Sequence, residues 1–447
     1  TMGDDMKLIN EYTQALMRFD DKGFYQIEEQ IERELDNFQL PGVAHRAFST
    51  LSGGQKRLVE VVKVMHSDAH LALVDEPTNH MDYIAKAQYV EWMKTAREAM
   101  LVITHDRDVL NEVDRIIELK DGDSVSYKGN YDAYLKQNAV STGSKMNDFE
   151  MVEKRIVNLK AKVIDYQRLK EKSRNPGTIQ KFKRLEETSR KELGELQAKE
   201  KPTFWIDKES AANLNYKVAA QYDKFKAKNI RMNLKNDESR SKHVLVSARD
   251  ISLGYGDKPL FEGANIDLRE GEALELRGRN GAGKTTLIKF LLQGLALQNE
   301  NEITKFAGEL SLDSHVRIGV YEQEVSPTYF DLPLEAAIER MYLDRNLSIS
   351  ISKIRNLLND YLFNEGDGKT PVSRLSGGQK ARFQLISMLA NDPQLLILDE
   401  PTNHLDLPSI EELETALAKY AGAVIYVSHD GYFRHALGGD VLQIGAK

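Results

Sequence analysis

Three short motifs occur twice in this 447-residue chain, and the two members of each pair lie 324 positions apart. They are a Leu-Ser-Gly-Gly-Gln-Lys motif at 51–56 and 375–380, an Asp-Glu-Pro-Thr-Asn-His motif at 75–80 and 399–404, and a His-Asp pair at 105–106 and 429–430. A constant offset across three separate motifs indicates that nothing has been inserted or lost between them. The sequence therefore predicts two copies of one domain, which we call the first copy and the second copy.

A glycine-rich motif occurs once. Gly278–Thr285 matches the P-loop pattern G-x-x-x-x-G-K-[ST] and lies between a strand-like run at 273–276 and an apolar, helix-like run at 287–292. Backbone N–H groups and a helix N-terminus surround phosphate in such a loop. Lys284 is predicted to reach the β- and γ-phosphates, and Thr285 to coordinate Mg²⁺. The loop residues that we expect to contact ATP are Gly278, Asn280, Gly281, Gly283, Lys284, Thr285 and Thr286.

Two carboxylates follow an apolar run at 395–398 that is typical of a buried parallel strand. Ligands bind at the carboxyl ends of such strands, so Asp399 is predicted to hold Mg²⁺ and Glu400 to polarise the attacking water. His429 follows another apolar run at 424–427 and is predicted to contact the γ-phosphate or hold that water. The repeats of these three residues are Asp75, Glu76 and His105.

The counterparts of Lys284 and Gln323 in the first copy would lie before Thr1. We therefore expect a chain that begins inside its first nucleotide-binding domain, with a naturally degenerate first domain as the alternative. The expected division is the end of the first domain at 1–136, a charged connector at 137–242 and a complete second domain at 243–447.

Apolar residues recur at helical spacing in the connector, on both sides of the turn-forming Asn175-Pro176-Gly177. This pattern predicts two long helices folded as an antiparallel hairpin. The tip, 168–184, carries seven basic residues and one acidic residue, although the whole chain has a net charge of −8. A basic tip suits RNA phosphate, whereas the alternative is an ordinary solvated helix surface. The candidate RNA contacts are Arg168, Lys170, Lys172, Arg174, Lys181, Lys183 and Arg184.

The Ser-Gly-Gly-Gln signature, the Asp-Glu pair after an apolar strand and the later His resemble those of ATP-binding-cassette ATPases. The resemblance implies an α/β fold with two P-loop ATPase domains, the first incomplete, joined by an α-helical hairpin. In that family two cassettes pair head to tail, and ATP with its Mg²⁺ lies between the P-loop of one and the signature of the other.

Carried onto this sequence, the resemblance implies one ATP site with all its parts. These are Tyr255 on adenine, the P-loop, Thr285, Gln323 and Asp399 on Mg²⁺, the catalytic Glu400 and His429, and Ser52, Gly53, Gly54 and Gln55 of the opposite signature. A second site has a signature and acidic residues but no P-loop in this chain. Its residues are Asp75 as metal ligand, the catalytic Glu76 and His105, and Ser376, Gly377, Gly378 and Gln379.

The extended motifs at 76–82 and 400–406, together with the tyrosine-rich segment at 127–135, resemble the F subfamily of these ATPases. The resemblance implies a ribosome partner, with the connector reaching from the tRNA-exit site toward rRNA and the peptidyl-tRNA. ATP binding would close the cassettes, and hydrolysis would release the protein. Some members of the subfamily are translation factors and others dislodge antibiotics.

The composition and the motifs argue against several other kinds of site and classes of protein. The chain has no Cys, which excludes disulfides, thiolate zinc sites and a Cys nucleophile. No run approaches ~18 apolar residues and the mean hydropathy is −0.49, so we expect no membrane span and a cytoplasmic protein. The resemblance implies a monomer with intramolecular cassette pairing in the full-length protein. A transporter's ATPase subunit does not suit a projecting basic hairpin, and the arms of DNA-maintenance ATPases are usually longer. Lys284, Glu400 and His429 argue against a non-catalytic scaffold.

Overall fold

Helices and strands alternate along the chain in the computed structural model, which describes residues 2–21, 23–38, 40–51, 53–67, 69–79, 81–120, 122–199, 201–214, 216–232, 234, 243–293, 303–313, 315–322 and 324–445. The elements of the first copy are α1 (Met2–Asp21), α2 (Ile27–Asn37), α3 (Gly53–Met65), β1 (Leu71–Asp75), α4 (Tyr83–Thr95), β2 (Ala99–Ile103), α5 (Arg107–Leu110), β3 (Arg115–Lys120) and β4 (Asp123–Lys128). Those of the connector are α6 (Tyr131–Lys172), α7 (Pro176–Gln197), α8 (Lys208–Ala212) and α9 (Tyr216–Phe225).

The second copy contains two sheets and six helices within its described residues. Its strands are β5 (Val244–Tyr255), β6 (Lys258–Arg269), β7 (Ala273–Arg277), β8 (Ile303–Leu312), β9 (Ile318–Tyr321), β10 (Leu395–Asp399), β11 (Ala423–Val427) and β12 (Asp440–Gln443). Its helices are α10 (Lys284–Gln293), α11 (Leu334–Asp344), α12 (Ile351–Asp360), α13 (Gly377–Leu389), α14 (Leu407–Ala418) and α15 (Gly431–Leu437).

Five parallel strands of the second copy form one sheet in the order β12-β7-β11-β10-β9. Because alternate side chains of a strand point to opposite faces, Leu395 and Ile397 of β10 pack toward α10 and the antiparallel sheet β6-β5-β8, whereas Leu396 and Leu398 pack toward α11 and α13. The sheet is therefore covered on both faces, and the predicted α/β fold is confirmed. The carboxyl ends of β7, β10 and β11 share one edge, where such sheets bind ligands.

The sheet of the first copy is smaller in the described part of the chain. Strands β1 and β2 pair in parallel, in the same register as β10 and β11. Leu71, Leu73, Leu101 and Ile103 are 51 to 69% exposed, although the equivalent side chains of the second copy are buried under α10 and the antiparallel sheet. Among the described residues, no such layer therefore covers this face of β1 and β2, the strands that lead to the acidic residues of the first copy.

The connector contains the predicted helical hairpin. Helix α6 runs for 42 residues and α7 for 22. Between them, Asn175 caps α7, since its Oδ1 accepts hydrogen bonds from the N–H groups of Gly177 at 2.9 Å and Thr178 at 3.4 Å. Pro176 occupies the first turn of the helix, where its missing N–H costs nothing. The proposed domain boundary between residues 136 and 137 falls inside α6, so this helix joins the first copy to the connector without a break.

Side chains fix the register of the hairpin. Arg155 on α6 forms a bidentate ion pair with Glu192 on α7 at 2.8 and 3.0 Å. Nearer the tip, Glu186 on α7 accepts from Lys170 on α6 at 2.6 Å and from Arg190 at 3.0 Å. Lys170 is therefore half-buried and paired, while the other six candidate RNA contacts are exposed. None of the described helices has both the length and the apolar character that crossing a membrane requires.

Gly319 allows β9, at the edge of the five-stranded sheet, to lie close to α13. A Cβ at this position would lie 2.3 Å from the backbone oxygen of Met388, and its φ is not positive, so the requirement is one of space. We expect Gly319→Ala to lower the unfolding free energy by about 1 to 3 kcal/mol through overpacking. Gly366→Ala is the matched control, because nothing lies within 4 Å of the added Cβ. Thermal unfolding of both variants measures the difference, and equal midpoints would contradict the packing argument.

Candidate nucleotide site

The P-loop joins β7 to α10 at the ligand-binding edge of the sheet. Gly281 and Gly283 have φ values of 80° and 104°, which favour glycine. A Cβ on Gly283 would also lie 2.7 Å from the ring of Phe261, so the loop is shaped for residues without side chains. Lys284 is 8% exposed, and its Nζ donates to the carbonyl oxygens of Gly278 at 2.8 Å and Arg279 at 3.1 Å. Burial lowers the pKa of Lys284.

Two of the three predicted metal ligands of the second copy, Thr285 and Asp399, lie together. The Thr285 hydroxyl, in the first turn of α10, donates to Asp399 Oδ2 at the end of β10 over 3.0 Å. Burial, and then the neighbouring Glu400, raise the pKa of Asp399. Tyr255, at the end of β5, is half-exposed and its hydroxyl lies 3.4 Å from Thr286 Oγ1. The residues predicted to contact adenine, phosphate and metal thus meet at the first turn of α10.

Glu400 and His429 form a close pair. The imidazole Nε2 of His429 lies 3.3 Å from Glu400 Oε1, and the backbone N–H of His429 donates to Glu400 Oε2 at 3.2 Å. Burial raises the pKa of Glu400 to about 7, and burial together with Lys284 lowers the pKa of His429 to about 4. Near neutral pH the imidazole is therefore uncharged and the carboxyl group is poised to gain or lose a proton.

The first copy repeats this arrangement more loosely. His105 Nε2 lies 3.9 Å from Glu76 Oε1, and burial, followed by Asp75 and Asp106, raises the pKa of Glu76 to about 7. Glu76 and Glu400 also share a positive φ, 43° and 51°, which is rare outside glycine and strains the backbone. Because the same strained conformation occurs in both copies, it is a shared feature of the repeated domain and not a peculiarity of one copy.

The two signatures stand at helix N-termini. Ser376 caps α13, since its Oγ accepts from the Gln379 N–H at 3.2 Å while Gln379 Oε1 accepts from the Ser376 N–H at 2.9 Å. Cβ atoms on Gly377 and Gly378 would lie 3.3 Å and 3.2 Å from His404 atoms, so small residues fit this contact. In the first copy α3 begins at Gly53, followed by Gly54 and the partly buried Gln55, whereas the predicted contacts Ser52 and Gln323 lie outside the described residues. The nucleotide contacts of both signatures stay predictions.

The two copies meet at the P-loop through a residue that the sequence analysis did not assign. Asp82 caps α4 through Oδ1, and its Oδ2 accepts the backbone N–H of Asn280 at 3.2 Å. A cavity of about 40 Å³ lies between the copies, and its lining includes Glu76 and His105 from one copy and Glu400 and His429 from the other. The acidic residues of both copies thus face a shared space.

A buried ion pair holds this contact together. Arg107 of the first copy is 5% exposed and donates to Glu414 at 2.5 Å and Asp430 at 2.9 Å in the second copy. Its guanidinium also lies 4.6 Å from the centre of the Tyr432 ring. Burial alone would lower the pKa of Arg107, but the two carboxylates raise it. In the docked arrangement the two carboxylates compensate for the burial of this charge, so removing either carboxylate while the copies stay docked would be costly.

The raised pKa of Glu400 predicts a pH-dependent gain in stability for Glu400→Gln. The folded protein holds the carboxyl proton up to about pH 7, whereas the unfolded chain releases it near 4.5. The favourable contribution of the protonated group is therefore complete below 4.5 and lost as the pH rises through 7. In nucleotide-free protein we expect Glu400→Gln to raise the unfolding free energy by about 1 to 3 kcal/mol at pH 8 and little at pH 5.

Thermal unfolding at both pH values measures this gain, with Glu195→Gln as the control because Glu195 is exposed on the hairpin. A Glu400→Gln effect that is equal at the two pH values would contradict the assignment of a buried, costly carboxylate.

Comparison with known proteins assigns the family. The ABC transporter family model matches residues 2–79 and 261–403. The chain is 31% identical to the putative ATP-binding protein YdiF of Bacillus subtilis, covering 100% of this chain and 63% of YdiF. It is 29% identical to the ribosome protection protein VmlR of the same organism, covering 92% of this chain and 71% of VmlR. For the ABC transporter F family member 5 of Arabidopsis thaliana, the identity is 30% over 90% of this chain and 53% of the relative.

The fold agrees with that assignment. The solved RNase-L Inhibitor matches with a TM-score of 0.56 at 16% identity, over 91% of this chain and 64% of that one. The chain spans between about half and 71% of the length of the curated relatives named above. The repeated signatures, the single P-loop, the helical hairpin and these relatives agree: the chain belongs to the F subfamily of the ATP-binding-cassette ATPases, a family of nucleotide-binding proteins.

Proposed function

We propose that this protein binds ATP with Mg²⁺ between its two copies, hydrolyses it to ADP and phosphate, and uses the cycle to bind and release the ribosome in the cytoplasm. One observation carries the proposal. Three groups meet at the same edge of the sheet and face Asp82 of the other copy: the P-loop, the Thr285–Asp399 pair and the Glu400–His429 pair. The name of VmlR, a ribosome protection protein, supports the ribosome as partner.

The residues present fit ATP and Mg²⁺. The glycine loop and the N-terminus of α10 suit phosphate, and Lys284 brings a cation to it. Among the described residues no cluster of three His, Cys, Asp or Glu side chains suits a metal ion. The contact between Thr285 and Asp399 supports a site in which these two residues and Gln323 would hold Mg²⁺, with its remaining ligands from phosphate and water. When bound, it would supply charge neutralisation on the phosphates.

The chain's own groups then divide the work. Lys284 and the loop N–H groups bind and orient the β- and γ-phosphates, and Tyr255 stacks on the base. Glu400 accepts a proton from the attacking water or aligns it, and His429 holds Glu400 through the two contacts described. Ser52, Gly53, Gly54 and Gln55 of the first copy close the site over the γ-phosphate and exclude bulk water. At the second site the metal ligand would be Asp75, and the catalytic pair would be Glu76 and His105. The signature facing them would be that of the second copy, Ser376, Gly377, Gly378 and Gln379.

The hairpin is proposed to contact RNA. Its tip would reach from the tRNA-exit site toward rRNA and the peptidyl-tRNA, where it would act in translation or in displacing an antibiotic. Six cations at the tip are exposed, and the ion pair with Glu186 leaves Lys170 as a residue that stabilises the hairpin. The exposed candidates are Arg168, Lys172, Arg174, Lys181, Lys183 and Arg184. A stiff, two-helix projection presents these charges at little entropic cost.

ATP turnover tests the enzymatic part of the proposal. We expect Lys284→Ala to reduce phosphate release by at least about 100-fold, since the ammonium that stabilises the developing phosphate charge is removed. Lys289→Ala, further along the same helix and half-buried, should leave turnover nearly unchanged. Equal turnover by the wild type and Lys284→Ala would exclude the P-loop as the site of hydrolysis.

Co-sedimentation with ribosomes tests the partner. Glu76→Gln combined with Glu400→Gln should block hydrolysis and hold the ATP-bound conformation, so retention on ribosomes should require ATP. Retention that is independent of ATP, or hydrolysis stimulated by DNA and not by ribosomes, would overturn the ribosome proposal.

Charge reversal at the tip tests the RNA contact. Arg174→Glu, Lys181→Glu and Lys183→Glu together should weaken ribosome retention and reduce its dependence on salt by roughly one unit of logarithmic slope per lost phosphate contact. Lys154→Glu, Lys160→Glu and Lys162→Glu impose the same change of charge on exposed positions nearer the hairpin base. Equal effects of the two triple variants would mean that net charge, not the tip, determines binding.

A further inference from the structure

Lys86 is a buried cation at the contact between the two copies. It lies on α4, one turn after Asp82, and is 6% exposed. Its Nζ lies 2.8 Å from Asp106 Oδ2 and 2.5 Å from Asp108 Oδ2 in the first copy, and it donates to the backbone oxygen of His429 in the second copy at 3.1 Å. The three hydrogens of the ammonium thus have three acceptors.

The two carboxylates keep this ammonium charged and fixed. Burial alone would lower the pKa of Lys86, but Asp106 and Asp108 raise it above its ordinary value. Asp106 also caps α5 by accepting the Asp108 N–H at 3.0 Å, so both acceptors stand on an ordered turn. Of the three bonds of Lys86, only the one to His429 crosses to the other copy, so this bond forms only when the copies are docked.

The carbonyl that Lys86 binds belongs to the same residue that holds Glu400. The N–H of His429 donates to Glu400 Oε2 at 3.2 Å, and its ring contacts Oε1. Lys86 therefore fixes the His429 backbone from one side while Glu400 depends on it from the other. A continuous set of contacts runs from α4 of the first copy to the carboxylate proposed to act on water.

This set of contacts is one-sided. The residue 324 positions after Lys86 is Ile410, and the residue equivalent to Arg107 is Gly431, so neither link can form in the reverse direction. Lys86 also joins the two histidine segments, because Asp106 directly follows His105. Both copies have the catalytic Glu and His, but only the first copy has a Lys at the position that binds the histidine backbone of the other copy.

We propose that Lys86 is a positioning residue in trans: by holding the His429 backbone it orients Glu400, so that the complete site becomes competent when the first copy is docked. The proposal rests on ATP hydrolysis at the Glu400 site, as proposed above. It assigns to Lys86 no contact with nucleotide.

Steady-state kinetics of Lys86→Met test the role. We expect kcat to fall about tenfold while KM for ATP stays within about twofold, because orientation is lost and the nucleotide contacts are kept. Lys86→Gln, which retains an N–H donor, should recover part of kcat. Lys94→Met is the matched control, since Lys94 lies on the same helix but forms an exposed ion pair with Glu112 at 3.1 Å. An unchanged kcat in Lys86→Met would overturn the proposal.

Two measurements on nucleotide-free protein separate positioning from simple loss of docking. Hydrogen exchange of peptides covering 424–433 should be faster in Lys86→Met than in the wild type or Lys94→Met, since the His429 N–H is less well held. The chain has no Cys, so Asn111→Cys with Tyr432→Cys places its two thiols on opposite sides of a contact where the Asn111 amide and the Tyr432 hydroxyl are 2.6 Å apart, and a short bis-maleimide can then join them.

The cross-link should form as rapidly with Lys86→Met as without it. Loss of cross-linking, or a fall in kcat without faster exchange, would make Lys86 an interface residue only and overturn the proposal. An inactive wild type would contradict the proposed hydrolysis instead, and the exchange experiment would still decide whether Lys86 orders His429.

Discussion

Docking of the two copies is the constraint on which the rest of the molecule depends. The P-loop and its acidic partners belong to the second copy, yet an N–H of the loop is bound by Asp82 of the first. Arg107 crosses the same boundary and is buried between Glu414 and Asp430. Because an unpaired buried charge is costly, Arg107 must meet both carboxylates whenever the copies are docked, which restricts how they can dock. The groups that bind a nucleotide and the groups that hold the copies together therefore occupy one small region.

The buried glutamates of this region suit the proposed chemistry but lower the stability of the fold. Glu76 and Glu400 are held where burial raises their pKa values to about 7, and both have a strained positive φ. A carboxylate that accepts a proton near neutral pH is suited to general-base chemistry, but its ionisation inside the fold costs free energy. The neutral His429 beside Glu400 relieves little of that cost, because its own charged form is disfavoured by burial. In the second copy, which carries Glu400, apolar side chains pack both faces of the sheet behind the site.

Sequence patterns predicted the elements whose signal is local. The P-loop requires glycines and a lysine at fixed spacing, and the hairpin requires helical periodicity with a turn at Asn175, so both were predicted. The copy-to-copy contacts were not, because nothing in the spacing of Lys86 or Arg107 indicates which surface they meet. Asp82 had a signal, since it ends the repeated 76–82 motif, but its cap position on α4 and its bond to Asn280 depend on docking. Likewise, the pairing of Lys170 with Glu186 depends on the hairpin register, which composition does not set.

The one-sided contacts also suggest how events at the site reach the hairpin. Helix α14 of the second copy carries Glu414, which holds Arg107, and its first residue Leu407 packs against the tyrosine cluster at the start of α6, which comprises Tyr127, Tyr131 and Tyr134. The helix that begins in this aromatic cluster continues unbroken to the basic tip. A change in docking that moves α14 relative to the first copy would therefore also move the start of α6, and this long helix would transmit the movement to the tip. Coupling of this kind is reciprocal, so contacts at the tip that favour one orientation of α6 must favour the docked site to the same degree.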